Sequence, residues 1–290
     1  MLVDALVAFL LYCYDDTICT FINEKVICNI ETMKTEIYNR LDANRGNVSL
    51  QARSLFDKIW SSFIAIADGE NNLKIPPHIV WLNGAPGSGK GTNGRSIMKA
   101  MDIFSKPVVV SDLLNSDENR GLMDSGSLVD DEKVIKIVFE KLLDGNTCRG
   151  GAIIDGFPRT LVQAECVYLL MEKIKTLHAG KDTKVSVITL LVDEKTSIER
   201  QLHRGRMTIL HNESIINNDS GVDRSAELQE VRKTDTDTHL ARERYQIFLD
   251  QTKSAIGFMK DMFSVYEIST AGSFDETKDR IYKTLRQEKL

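Results

Sequence analysis

Proline, cysteine and aromatic residues are sparse in this chain: five prolines, five cysteines and 7% aromatics in 290 residues. The cysteines, Cys13, Cys19, Cys28, Cys148 and Cys166, are odd in number and scattered. None forms the close pair that a zinc ribbon or a redox motif needs, so they are expected to be reduced and mostly buried thiols. Long apolar runs are missing as well. The opening Met1 to Cys13 is too short to span a bilayer, is broken by Asp4, lacks a basic leader and runs into Asp15-Asp16. A protein outside the membrane and in the cytoplasm is expected. There is no excess of positive charge: the net charge is −5, so nothing steers the molecule onto nucleic acid or an anionic membrane. Internal repeats and low-complexity tracts are absent too.

What is present is ordinary globular composition, 42% hydrophobic and 27% charged. The length allows one large domain, or a domain of about 200 residues with an added segment. From Leu2 to Ala67 no proline occurs, and apolar residues recur at three- and four-residue spacing: Leu6, Phe9, Leu10 and Cys13, then Ile27, Ile30, Met33, Ile37 and Leu41, then Leu55, Ile59, Phe63 and Ile66. This pattern predicts two to four amphipathic helices in an all-α segment, 1–75. The polar stretch ending in Pro76-Pro77 reads as the linker into the next unit, 76–290.

There the texture changes to short apolar runs alternating with helical stretches: His78 to Leu82, Pro107 to Val110, Ala152 to Ile154, Val185 to Val192 and Val265 to Ile268. Five such runs predict an α/β core, a five-stranded parallel sheet with helices on both faces. The polar stretch Met207 to Gln229 reads as a mobile surface arm.

Directly after the first run comes Gly84-Ala85-Pro86-Gly87-Ser88-Gly89-Lys90-Gly91-Thr92, followed by a helical pattern from about Asn93. Its glycines let backbone N–H groups turn toward a phosphate at close range. Lys90 supplies charge for the terminal phosphates, and the following helix presents its positive end. Strand, loop, lysine and helix together mark a phosphate-binding loop. Gly91 stands where the commonest pattern has a Ser or Thr, and Thr92 follows one place later.

That loop and Asp155-Gly156-Phe157-Pro158-Arg159-Thr160 resemble the two signature motifs of adenylate kinases, within the nucleoside monophosphate kinases. The resemblance runs from about Ile79 to the C-terminus and implies reversible phosphoryl transfer from MgATP to a nucleoside monophosphate, AMP above all. Thr160 favours AMP, since pyrimidine-preferring relatives more often carry Asn there; a kinase for UMP or CMP is the alternative. The resemblance implies ATP contacts at residues 84–92, Arg200, Arg204 and Ser273. It implies Mg²⁺ held through water by Asp155, and a lid over 205–231 that, having no cysteine, binds no zinc. The arginines Arg159, Arg200, Arg204, Arg232 and Arg244 would meet the developing charge. Gly156, Arg159, Gln163, Arg232 and Arg244 would face the monophosphate, with Gln163 reading the adenine edge.

The monophosphate arm, 110–130, departs from the family. Val110, Ser111, Asp112 and Asn115 occupy the positions of a Thr-Gly-Asp stretch that ends in Arg, and the arm is short; Leu128 and Val129 match its later part. Val110 replaces the Thr and Asn115 the Arg. One lost charge-assisted contact costs about 1.5 to 3 kcal/mol. A weakened nucleotide-binding interaction module is therefore the second alternative. Residues 1–75 could dock on the core, self-associate or bind a partner protein.

Overall fold

The computed structural model describes residues 49–114, 129–144, 148, 150–177, 182–217 and 227–286, with only the backbone described at 71. All lie in one compact unit, Ser49–Leu290. The helices expected before residue 49 fall outside the described residues.

The first described helix, α1, covers 49–67. Phe56, Ile59, Trp60 and Phe63 recur at helical spacing and are all buried. Asp68 and Gly69 end the helix with positive φ, and the Gly69 N–H donates to the Ile64 carbonyl. The expected boundary near residue 75 thus falls inside the compact unit, because α1 packs on the core.

The strands are β1 (His78–Gly84), β2 (Val108–Val109), β3 (Ala152–Asp155), β4 (Lys184–Leu191) and β5 (Val265–Ser269). They form a single parallel sheet in the order β2-β3-β1-β4-β5. Each of the five apolar runs supplies one strand. The residues of β1 alternate between the two faces of the sheet. Val80 and Leu82 join Ile97, Ile153, Ile188, Leu190, Ile268 and Ile281 in one core layer. That layer carries α2 (Lys90–Met101) and α9 (Phe274–Arg286).

The remaining helices are α3 (Val110–Leu113), α4 (Asp131–Leu143), α5 (Leu161–Thr176), α6 (Glu194–Ile216), α7 (Thr238–Ile247) and α8 (Lys253–Met262). Trp81 of β1 meets Phe157 at 5.7 Å between ring centroids, and Tyr168 of α5 meets Phe258 of α8 edge-on at 6.3 Å. On α1, Phe56 stacks on Trp60 and meets the edge of Phe139 in α4, while Cys166 of α5 donates to the Ala52 carbonyl.

Two boundaries differ from the sequence reading. Helix α2 begins at Lys90 rather than near Asn93, because Gly89 turns into the left-handed region and starts the helix inside the loop. Helix α6 continues to Ile216, so the first part of the expected surface arm is helical. The polar residues there lie on the exposed face of a helix anchored at its other end.

In the strand order, β1 has β3 on one side and β4 on the other, so the connections diverge at its carboxyl end. A crevice opens there, the usual ligand position in an open α/β sheet.

Candidate active site

Everything expected at the phosphate loop starts from that crevice. Leu82 pairs with Asp155 and Gly84 with Leu190, so the loop after β1 and the carboxylate ending β3 are neighbours. The loop is shaped by close approaches that only glycine permits. A Cβ on Gly84, whose φ is 150°, would lie 2.7 Å from the Leu190 carbonyl oxygen; one on Gly87, with φ of 70°, would lie 2.6 Å from that of Ser197. At the start of α2, Gly89 offers no side-chain cap, which leaves first-turn N–H groups for an anion.

Three side chains of α6 brace the loop from outside. Ser197 Oγ donates to the Pro86 carbonyl at 2.7 Å, and Gln201 Nε2 donates to the Ser197 hydroxyl at 3.3 Å. Arg200 donates to the Gly87 carbonyl at 3.4 Å, to the Thr270 hydroxyl at 3.1 Å and to the Thr270 carbonyl at 2.7 Å. It thereby links the phosphate loop to the loop after β5, where the donor adenine is expected. Ser273, in that second loop, is engaged in a capping box: its N–H and hydroxyl donate to Glu276 Oε2 at 2.7 and 3.0 Å.

The charged groups of four segments converge in the crevice. Lys90 folds over its own loop, donating to the Gly84 and Ala85 carbonyls at 2.7 and 3.3 Å. Burial lowers its pKa to about 8, Asp155 opposes that shift, and Arg159, Arg244 and Arg204 add to it. Burial also raises the Asp155 carboxyl against the pull of Lys90 and Arg159, with Asp112 of α3 adding to the rise. Arg159 is lowered by burial and by Arg232, against the pull of Asp155, and its Nε donates to the Gly156 carbonyl at 2.7 Å. Burial lowers Arg244 to about 9, helped by Arg232, Arg159 and Arg204 and opposed by Asp235.

Lys90, Arg159, Arg204, Arg232 and Arg244 thus lie near enough to act on one another's charge, with Asp155 and Asp235 the carboxylates that oppose them. A region that holds uncompensated positive charge in partly dry surroundings is built for a polyanion. The segment carrying Arg232 is fixed by Asp235, whose carboxylate accepts two bonds from Arg204 at 2.7 and 2.6 Å. Thr234, in place of an acid, accepts from Arg244 at 3.3 Å.

The acceptor side is described in part. Val110 is buried at the end of β2, Ser111 lies next to it on α3, and Val129 is buried just before α4. Asn115 and Leu128 lie outside the described residues. Gln163 is only 2% exposed, and its carboxamide is already used: Oε1 accepts from the Arg159 N–H at 2.8 Å and Nε2 donates to Asp131 at 2.8 Å. In this arrangement Gln163 faces its neighbours rather than open solvent. Sequence reasoning singled out none of Asp131, Ser197, Gln201 and Thr270; Asp131, Ser197 and Thr270 work across large chain separations, and Gln201 acts on Ser197 one helical turn away.

Two comparisons add to this geometry. The adenylate kinase family model matches residues 82–263, well over half of the chain. The chain belongs to the adenylate kinase family. It is 28% identical over 218 residues to the adenylate kinase of Deinococcus deserti, covering 72% of this chain and 96% of that protein. Against the adenylate kinase of Elusimicrobium minutum it is 28% identical over 223 residues, covering 73% of this chain and all of the relative. Membership makes the protein a phosphotransferase acting on nucleoside monophosphates. Among its described residues no helix is long and apolar enough to cross a membrane.

Proposed function

We propose that the kinase transfers the terminal phosphoryl group of MgATP reversibly to AMP, giving two ADP, in the crevice at the end of β1. The observation that carries this reading is Lys90, folded over the phosphate loop beside Asp155, with Arg159, Arg204 and Arg244 close enough to act on its charge and Arg232 on that of Arg159 and Arg244. Phosphoryl transfer needs little covalent chemistry from the protein; it needs fixed positive charge where charge builds on the moving group. Lys90 and the first turn of α2 hold the donor phosphates, Arg159, Arg232 and Arg244 face the acceptor side, and Arg204 stands ready at the transferred group. A lid formed by 205–231, whose first part is the end of α6, would exclude water as a competing acceptor.

Mg²⁺ fits this donor set. Asp155 sits buried at the end of β3, paired with Leu82 and so beside the phosphate loop. A single carboxylate with substrate oxygens and water is the usual way to hold this ion. Asp155 would hold the ion through water, and the ion would supply positive charge that offsets the phosphates.

Thr160 at the start of α5 and the relatives matched both favour AMP over pyrimidine acceptors. A coupled assay with AMP, CMP, UMP and GMP tests the assignment. AMP is expected to give the highest kcat/KM. A higher value with CMP or UMP would move the protein to a pyrimidine substrate, and no turnover with any of the four alongside normal ATP binding would overturn the reading.

A further inference from the structure

Helix α4 begins with three acids, Asp130, Asp131 and Glu132, which its N-terminal partial charge favours. Their tasks differ. Asp130 is the cap: its Oδ1 accepts from the Lys133 N–H at 3.2 Å. Glu132 meets Lys58 of α1 at the surface. Asp131 does neither. Its Oδ1 reaches across to α5, accepting from the Thr160 hydroxyl at 2.9 Å and from Gln163 Nε2 at 2.8 Å.

Those two residues are bound in turn to the catalytic segment. Thr160 caps α5 by accepting from the Gln163 N–H at 3.2 Å, and Gln163 Oε1 accepts from the Arg159 N–H at 2.8 Å. Because Asp131 can only accept from the carboxamide and the Arg159 N–H can only donate to it, Gln163 has one permitted orientation. A carboxamide free to rotate would present its oxygen and nitrogen in either order.

We infer that Asp131 is a positioning residue for the acceptor side of the site: it fixes the Gln163 carboxamide in one orientation and, through it, the backbone of Arg159. The inference rests on the reading that Arg159 and Gln163 serve the monophosphate. It also ties the start of α4, which Val129 and Asp130 lead into, to the acceptor-side Arg159.

Steady-state kinetics with ATP and AMP, and with GMP as the rejected acceptor, test this. Asp131→Ala is expected to lower kcat/KM for AMP by about ten- to a hundredfold, as lost positioning does, while KM for ATP stays within about twofold. Its effect should shrink to well below the product of the single losses when Gln163→Ala is already present, leaving only the part carried by the Thr160 hydroxyl. A milder pair avoids truncation. Gln163→Glu alone opposes two carboxylates and should lose about tenfold or more in kcat/KM for AMP. Adding Asp131→Asn offers the new carboxylate an N–H donor and should restore most of the loss.

An unchanged kcat/KM for AMP in Asp131→Ala, multiplying losses in the double alanine variant, or no rescue of Gln163→Glu by Asp131→Asn would each overturn the inference. If Asp131→Ala does not fold, the second pair decides. Failure of the wild type to use any monophosphate would instead overturn the proposed function, so the two failures are distinguishable.

Discussion

Lys90 is the side chain whose chemistry the surroundings alter most visibly. Its pKa falls from the ordinary 10.5 to about 8, chiefly through burial. A lysine shifted down has a folded pKa below its unfolded one, so the unfolded chain binds more protons between those values. Through Lys90 the free protein therefore gains stability as pH rises from about 8 to 10.5, and this gain is absent below 8. On the proposed function activity runs the other way, because it is the charged ammonium that would hold a phosphate. In the free kinase, kcat/KM for ATP should fall on the alkaline side with a midpoint near 8. A pH profile of kcat/KM checks it, and a flat response up to about pH 10 would show that the Lys90 ammonium keeps its ordinary pKa in the free kinase. The sequence identified this lysine through the motif around it; its lowered pKa also depends on Arg159, Arg204 and Arg244, which the fold supplies.

Between elements, the contact of α6 with the turn at Lys233–Asp235 decides whether the arginines converge. A Cβ on Gly205 would overlap the Asp235 carbonyl oxygen. Gly205→Ala must push the turn away and stretch the two bonds from Arg204 to Asp235. A loss of about 1 to 3 kcal/mol in stability is expected, with a marked fall in kcat, read by chemical denaturation and turnover. Gly257 of α8 is the control, since a Cβ there meets nothing within 4 Å. Gly257→Ala should raise stability by about 0.5 to 1 kcal/mol through helix propensity. Strands were legible because each is a short apolar run bounded by breakers. The length of α6 was not: its second half mixes polar residues with the exposed Met207, Ile209, Leu210 and Ile216, and that mixture has no buried stripe to mark it as a helix.

Across the whole molecule, α1 is held by packing rather than by motif. Phe56 is 7% exposed, against Trp60 and Phe139. Phe56→Ala should cost about 3 to 5 kcal/mol, measured by denaturant unfolding. A chain starting at Ser49 should unfold cooperatively, whereas one starting at Asp68 uncovers the apolar faces of α4 and α5 and should aggregate; equal stability of the two chains would show α1 to be dispensable. The sequence by itself determined the phosphate loop, the motif from Asp155 to Thr160, the five strand segments and the family, because these depend on residues close together in the chain. Only the tertiary structure decided that α1 belongs to the core, that Arg200 faces Thr270, that Asp235 anchors Arg204 and that Gln163 answers to Asp131. Arg204 and Asp235 lie 31 positions apart, Arg200 and Thr270 lie 70. Local propensity carries no information over such distances; the packing of helices on the sheet supplies it.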